Sequence, residues 1–285
     1  MQLRPIKKVI QAVEVTEGAG VTVHRTIGTP ALRNLDPFLM LDHFRSDDPN
    51  DYIAGFPDHP HRGFITLTYM LDGHMLHQDS MGNKGDLRSG GAQWMKAASG
   101  VIHSEMPQQT AGLMRGFQLW INLPAREKMS APAYQEFTPE AIPVVNETGR
   151  QVKILSGSYG GQEGPISDPH TDVLYLDITL EQNQAFELPL RNELQGFLYV
   201  FEGGAEVQGT NLPQHRFAVL GEGELFRITA GEKGARLILV AGKPLREPIV
   251  QYGPFVMNTQ QEIHQAMSDY RDGTLVQKKA DFISA

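Results

Sequence analysis

Short runs of apolar and β-branched residues, separated by Gly, Asp and Asn, follow one another along almost the whole chain. Many short runs of this kind are typical of an all-β protein built as a sandwich or barrel. Asp72-Gly73 lies between two of the runs and predicts a hairpin turn. The predicted strands cover residues 9–15, 21–27, 64–71, 75–77, 116–123, 152–156, 173–180, 197–201, 216–220, 225–229 and 236–241.

One helix is predicted near the end of the sequence. Thr259 and Glu262 have the spacing of a capping box, which marks a helix start. Apolar residues then recur at helical spacing over residues 263–270, and Gly273 ends the pattern. We expect this helix to pack against a barrel or cover a sheet edge.

The two halves of the chain carry weakly similar patterns, which indicates an internal repeat. The pattern from Phe64 to Gly100 parallels the one from Phe197 to Gly231. Between them, residues 124–151 contain four prolines and read as a linker. We therefore predict an N-terminal barrel over residues 1–130, a linker over 131–150 and a C-terminal barrel over 151–285.

Two short clusters place pairs of metal-binding side chains two residues apart. His59 and His61 form one pair, and His103 and Glu105 form the other. Residues i and i+2 of a strand point to the same face, so two facing pairs predict a four-ligand site. This nitrogen and oxygen set without sulfur suits Fe, Mn, Ni, Cu or Zn better than Ca or Mg.

The alternative is that these are ordinary surface or core histidines, since short motifs often occur without function. Clustering favours the site, because six of the ten histidines fall within about a fifth of the chain. In the second half, the positions that align with the four ligands are Asn192, Leu194, Gly234 and Arg236. Those four form no plausible metal set, so we expect the second barrel to be metal-free.

Composition narrows the function classes. The chain has 285 residues, of which 40% are apolar, and a net charge of -8, which argues against broad electrostatic binding to nucleic acid. The absence of cysteine excludes disulfides, thiolate ligands and thiol nucleophiles. No secretory-signal pattern and no run of about 18 apolar residues occurs. We expect a cytoplasmic protein that neither crosses a membrane nor binds nucleic acid directly.

Taken together, the motifs resemble the pirin family. Ordinary cupin barrels place a carboxylate a few residues after the second histidine, where this chain has Ile65 and Thr66, and the carboxylate reappears as Glu105. The resemblance covers nearly the whole chain. It is carried by His59-Pro-His-Arg-Gly-Phe64, Gly91-Ala-Gln-Trp-Met95, Gly100-Val-Ile-His-Ser-Glu105 and residues 36–44, 116–124, 242–248 and 252–258.

The resemblance implies a bicupin, which is two conical cupin β-barrels in tandem, here with a short C-terminal helix. It implies one divalent metal in the N-terminal barrel, usually Fe²⁺, with Ni, Mn, Cu or Zn as alternatives. The matching ligand residues are His59, His61, His103 and Glu105. Some pirin-like proteins are quercetin 2,3-dioxygenases, which open a flavonol ring with O2, and others are described as redox-sensitive transcription cofactors or metabolic regulators.

We expect a metal-dependent dioxygenase whose partners are a small aromatic substrate, such as quercetin or a related enol, and O2. Glu105 is the only acidic ligand, so it is either the base that takes the substrate proton or only a charge-balancing ligand. The alternative function is an iron-binding regulator without enzymatic activity, acting through a protein partner. His77 and Asp79 either orient a metal-bound imidazole or form a pair at the barrel surface. Trp94 and Trp120 are expected in the core.

Overall fold

The structure is a computed structural model that describes residues 1–277, and it is built almost wholly from antiparallel strands. The first strands are β1 (Ile6–Gln11), β2 (Val13–Glu17), β3 (Val21–Arg25), β4 (Phe38–Ser46), β5 (Phe56–His61), β6 (Phe64–Asp72), β7 (His74–Asp79), β8 (Lys84–Arg88), β9 (Ala92–Lys96), β10 (Val101–Pro107), β11 (Met114–Asn122) and β12 (Ala133–Phe137). The later elements are β13 (Val144–Glu147), β14 (Arg150–Ser156), β15 (Ser158–Tyr159), β16 (Gln162–Glu163), β17 (Leu174–Leu180), β18 (Ala185–Pro189), β19 (Gln195–Val207), β20 (Thr210–Pro213), β21 (Arg216–Leu220), β22 (Leu225–Gly242), β23 (Val250–Tyr252), β24 (Phe255–Met257) and the helix α1 (Gln260–Arg271).

The helix begins where the sequence predicts it. Thr259 Oγ1 accepts a hydrogen bond from the Glu262 backbone N–H, and the Glu262 carboxylate accepts one from the Thr259 backbone N–H at 2.8 Å. Ile263 and Ala266 form its buried face. Among residues 1–277, no helix has the length and apolar character needed to cross a membrane.

The predicted linker over residues 131–150 is not a separate segment, because β12 pairs with β9 and β13 pairs with β14. The chain divides into two compact units, which also differ from the predicted ranges at both chain ends and at residues 35–37. We call them the first barrel (Val13–Asn34, Phe38–Glu140 and the described residues from Leu245 onward) and the second barrel (Met1–Ala12, Leu35–Pro37 and Ala141–Pro244). The predicted C-terminal range also includes residues 278–285, which lie outside the described residues.

Strand pairing explains this difference. The predicted strand 9–15 is two strands, because β1 pairs with β21 of the second barrel whereas β2 pairs with β3 of the first. The helix α1, which we expected to belong with the C-terminal barrel, contacts β23 and β24 and belongs to the first barrel. Apolar periodicity identifies a strand or a helix, but it does not identify the sheet on which that element packs.

The first barrel is formed by a seven-stranded and a four-stranded sheet. Their strand orders are β12-β9-β6-β11-β4-β3-β2 and β5-β10-β7-β8. The predicted hairpin at Asp72-Gly73 is wrong, because β6 belongs to the larger sheet and β7 to the smaller one. The turn chemistry was identified correctly, since Gly73 has a φ of 118°, but the chain uses the turn to pass from one sheet to the other.

Two buried basic side chains attach the C-terminal segment to the rest of the first barrel. Lys128 Nζ donates hydrogen bonds to the Gly63 and Val256 carbonyls at 2.7 and 2.9 Å. The Arg62 guanidinium donates to the Asp269 carboxylate at 2.7 Å. Because Arg62 and Gly63 directly follow the ligand candidate His61, these bonds also fix the end of β5.

The second barrel is centred on a nine-stranded sheet and an apolar interior. Leu194, one of the positions aligned with a metal ligand, belongs to that interior. Arg236, another aligned position, donates hydrogen bonds to both oxygens of the buried Asp177 carboxylate at 3.1 and 2.7 Å. An ion pair and apolar packing thus take the place of metal-ligand side chains here, and the absence of a metal from this barrel stays a prediction.

The close approach at Gly63 gives a stability prediction. A Cβ at Gly63 would lie 1.9 Å from the Val256 carbonyl oxygen, whereas a Cβ at Gly112 would meet nothing within 4 Å. The φ angles are 91° and 93°, so backbone strain is matched. We expect Gly112→Ala to cost about 1–2 kcal/mol of unfolding free energy, and Gly63→Ala to cost about 1–3 kcal/mol more.

Denaturant unfolding followed by tryptophan fluorescence measures this difference. Both tryptophans of the chain, Trp94 and Trp120, lie in the first barrel, so the signal reports on that barrel. Equal losses for the two variants would show that the Val256 backbone does not constrain Gly63.

Candidate metal centre

The pairing of β5 with β10 places the predicted ligands opposite one another. His103 is the cross-strand partner of His59, and Val101 is the partner of His61. The register shifts beyond His103, so that Glu105 lies opposite Phe56. Because three β5 residues then span two β10 residues, β5 carries a bulge, a feature that re-aims side chains near functional sites.

The three histidines come together as the sequence predicts. Their ring centroids are separated by 4.2 Å (His59–His103), 4.7 Å (His59–His61) and 4.9 Å (His61–His103). One ring nitrogen from each lies within 4.8 Å of those of the other two. This spacing allows the three imidazoles to bind one ion.

The Glu105 carboxylate belongs to a second group of possible ligands that shares His103 with the first. Ligand atoms of Glu105, His103 and His77 also lie within 4.8 Å of one another, so the structure contains two overlapping triads that share His103. Glu105 is buried, and its two oxygens accept hydrogen bonds from Thr68 Oγ1 at 3.3 Å and Gln118 Nε2 at 2.9 Å. The four-ligand set of His59, His61, His103 and Glu105 stays a prediction.

Free nitrogen lone pairs show that these residues fit a metal ion. Nδ1 of His59 donates to the Pro57 carbonyl at 2.8 Å, which leaves Nε2 as the unprotonated nitrogen of a neutral ring. Within the described residues, the buried His103 Nε2 and both nitrogens of His61 make no hydrogen bond of normal geometry. Buried polar atoms are rarely left unpaired, and neutral imidazole is a common ligand of divalent transition metals.

Burial keeps two of these rings in the neutral form that binds metals. Burial, together with the neighbouring His59, holds the pKa of His61 well below its usual value, although the nearby Pro254 carbonyl opposes the shift. Burial and the surrounding histidines lower the pKa of His103 in the same way. Protons therefore compete only weakly with a metal ion for these nitrogens.

A cavity of about 560 Å³ opens onto this group. His59, His61 and Glu105 line it, and Gln251, Gly253 and Pro254 of the C-terminal segment form part of its wall. Its volume is within the range of small-molecule sites. The apolar part of the wall consists of Val23, Met40, Phe44, Phe56, Met75 and Trp120.

The placement of Trp120 in the core is only partly right, because this buried residue also lines the cavity. Its indole N–H donates to Gln118 Oε1 at 3.3 Å, which orients the amide toward Glu105. The sequence analysis did not identify Gln118 and Thr68; the available signal was that each is a polar residue in a mostly apolar strand. Arg25 and Asp42 were also missed. They form an ion pair with two hydrogen bonds on the cavity wall.

His77 and Asp79 do not lie at the barrel surface. Their side chains are 1% and 0% exposed. Nε2 of His77 lies 3.2 Å from the Asp79 carboxylate, and its Nδ1 lies 3.4 Å from Nδ1 of His103. Of the two alternatives for this pair, the structure favours contact with a ligand imidazole.

Comparisons with known proteins agree with this geometry. The family model described as Pirin matches residues 20–121, and the model described as Pirin C-terminal cupin domain matches residues 175–276. A crystal structure titled as quercetin 2,3-dioxygenase from Acinetobacter baumannii has a TM-score of 0.89 and 31% identity, covering 96% of this chain and 98% of that one. The strand-rich architecture and these matches confirm the expected bicupin fold.

Similar sequences carry two kinds of name. A "Pirin-like protein" of Caulobacter vibrioides is 46% identical, covering 96% of this chain and 99% of its own. A "Putative quercetin 2,3-dioxygenase" of Pseudomonas aeruginosa is 48% identical, covering 91% and 94%. "Pirin" of Homo sapiens is 42% identical, covering 93% of each chain.

The geometry predicts that each chain binds one divalent transition-metal ion. Replacing His59 and His103 together by Ala removes two of the three converging imidazoles and should abolish tight binding. Metal analysis after chelation and anaerobic reloading with Fe²⁺ measures the stoichiometry. His264→Ala, which removes an exposed histidine on α1, is the control and should still bind one ion.

Two results would contradict this assignment. One is a double variant that still binds one ion with wild-type affinity. The other is a second tightly bound ion in the wild type, which would place a metal outside the three converging imidazoles.

Proposed function

This chain belongs to the pirin family, and we propose that it is a metal-dependent dioxygenase that cleaves quercetin or a related flavonol or enol with O2. The observation that carries the proposal is a set of buried imidazoles, with nitrogens lacking hydrogen-bond partners in the described residues, beside a cavity with a largely apolar wall. Relatives named for quercetin 2,3-dioxygenase point to the same substrate class and to O2.

In this proposal His59, His61, His103 and Glu105 hold one divalent metal, with Fe²⁺ as the first choice. The His and Glu cluster suits a divalent transition metal. Catalytic metal sites typically keep a position open for substrate, and the cavity beside these residues would give a substrate access to the ion. When bound, the metal would supply Lewis-acid chemistry toward a substrate oxygen and the redox chemistry needed with O2.

Glu105 is suited to take the proton from the substrate's enol hydroxyl. It lines the cavity, and hydrogen bonds from Thr68 and Gln118 reach both of its oxygens. The Trp120 indole holds Gln118 in place, so three side chains fix the orientation of the proposed base before substrate enters.

The cavity wall suits a flat aromatic molecule. Phe44, Phe56 and Trp120 offer aromatic surface, and Met40 and Met75 offer adaptable apolar surface. A flat substrate packed against these side chains would displace water from the space beside Glu105, which would strengthen the electrostatic interactions there. Arg25 and Asp42 belong to the polar part of the same wall and can form hydrogen bonds with the hydroxyl groups of a polyphenol.

Replacing the proposed base tests the mechanism. Glu105→Gln keeps the shape of the side chain but removes the proton acceptor, so we expect quercetin turnover per bound iron to fall by about 100-fold or more. Iron occupancy should fall much less, because three imidazoles remain. Oxygen uptake and iron content are measured on the same sample, with Glu140→Gln as a control that removes an exposed carboxylate.

The outcomes separate the alternatives. Unchanged turnover per bound iron in Glu105→Gln would exclude this residue as the base and leave it as a charge-balancing ligand. Failure of the fully loaded wild type to consume O2 with a panel of flavonols and enols would contradict the dioxygenase proposal. That failure would favour an iron-binding regulator that acts through a protein partner.

A further inference from the structure

His77 contacts His103, the residue shared by both triads, and this contact affects which ring nitrogen of His103 carries the proton. His103 can offer Nε2 to a metal only when its proton is on Nδ1. An imidazole without hydrogen-bond partners can place its proton on either nitrogen. What holds the proton of His103 on one side therefore decides whether this ring is ready to bind.

Asp79 sets the direction of the hydrogen bonds. Its Oδ1 accepts the backbone N–H groups of Met81 and Asn83 at 2.9 and 3.0 Å, and its Oδ2 accepts the Asn83 amide N–H at 2.9 Å. Three N–H groups thus donate to the Asp79 carboxylate, and hydrogen bonds of this kind favour its ionised form. An ionised carboxylate only accepts hydrogen bonds, so Nε2 of His77 must be the donor.

The same assignment of donor and acceptor extends from His77 to His103. A neutral His77 that donates through Nε2 has an unprotonated Nδ1, and this nitrogen can accept from Nδ1–H of His103, 3.4 Å away. Nε2 of His103 is thereby left with its lone pair, and this is the nitrogen for which the described residues provide no hydrogen-bond partner. Each hydrogen bond from Asp79 through His77 to His103 then has one donor and one acceptor.

The surroundings also fix the plane of the His77 ring. Tyr134 stacks on it, with ring centroids 4.7 Å apart and an interplanar angle of 24°. The Tyr134 hydroxyl is itself held, since it donates to Glu136 at 2.8 Å and accepts from Gln93 at 2.6 Å. His77 is not among the residues that line the cavity described above, so it acts on the site through His103.

We propose that Asp79 and His77 form a relay of positioning residues that holds His103 in the Nδ1–H form, with Nε2 ready to bind the metal. The proposal rests on the ligand set of the proposed function. It assigns a role to a buried pair that neither contacts the cavity nor belongs to that ligand set. Residues that orient a metal-bound imidazole in this way commonly contribute 10–100-fold to metal affinity.

The wild-type protein tests the relay without any metal. Two-bond ¹H–¹⁵N correlation spectra of the metal-free protein report which ring nitrogen of each histidine carries the proton. The relay predicts Nδ1–H for His103 and Nε2–H for His77. A proton on Nε2 of His103 would overturn it, and so would a doubly protonated His77, because either arrangement reverses the hydrogen bond between the two rings.

Asp79→Asn is the variant that tests the relay most directly. The two backbone N–H groups that bind Oδ1 keep the amide oxygen on their side, so the new NH2 group faces His77 and the Asn83 side-chain amide, which must rotate to present its oxygen. It would donate to Nε2 of His77, move the His77 proton to Nδ1 and force the proton of His103 onto Nε2. We expect that tautomer change in the metal-free variant, together with a 10–100-fold weaker Kd for Zn²⁺ in competition with a chelator.

His77→Phe keeps an aromatic ring against Tyr134 but removes the acceptor, and we expect a similar loss of affinity. His74 and Asp86 form a matching pair on β7 and β8 that is exposed to solvent. His74→Phe and Asp86→Asn are therefore the controls, and both should bind Zn²⁺ within about 2-fold of the wild type. Circular dichroism and tryptophan fluorescence check that each variant is folded.

The outcomes distinguish failure of the relay from failure of the proposed function. If the wild type binds Zn²⁺ and folded Asp79→Asn binds it equally well, with His103 unchanged, the relay is wrong and the ligand set stands. If the wild type binds no metal, the proposed function is wrong, while the spectra of the metal-free protein still decide the relay. If a variant does not fold, the wild-type spectra alone support or overturn the proposal.

Discussion

The first barrel is organised around three imidazoles that converge between β5 and β10, and two of them, those of His61 and His103, are buried. Each buried polar group left without a partner costs about 1–3 kcal/mol, so the free nitrogens of His61 and His103 are unfavourable in the protein alone. A metal ion bound to these nitrogens would compensate for that cost. In the proposed function, metal binding would therefore be coupled to the stability of this barrel.

Other features of the barrel support this arrangement. The bulge in β5 turns the Pro57 carbonyl toward His59 and fixes the proton of that ring on Nδ1. Lys128 and Arg62 attach the C-terminal segment next to His61, and that segment forms part of the cavity wall. Glu105 is held from the opposite strands by Thr68 and Gln118. These contacts together restrain the side chains around the candidate site.

The sequence predicted the local features well and the long-range pairings less well. Spacing by two residues brought His59, His61 and His103 together because strand geometry is local, and the same reasoning identified the capped helix. The sequence did not show the bulge in β5 or that Glu105 would group with His103 and His77. It also did not show which face of β11 places Gln118 and Trp120 beside a cavity. The sequence pattern also predicted parts of β1 and β2 as a single strand, because the choice of sheet for β1 depends on partners more than 200 residues away.

Anomalous diffraction at the iron edge, on crystals of the anaerobically loaded protein, would locate the ion and identify the atoms that bind it. We predict a single strong peak in the first barrel, bonded to one nitrogen each of His59, His61 and His103 and to an oxygen of Glu105. For His103 the bonded atom should be Nε2. A peak elsewhere, a peak bonded to His77 in place of His59 or His61, or no peak in fully loaded protein would contradict it.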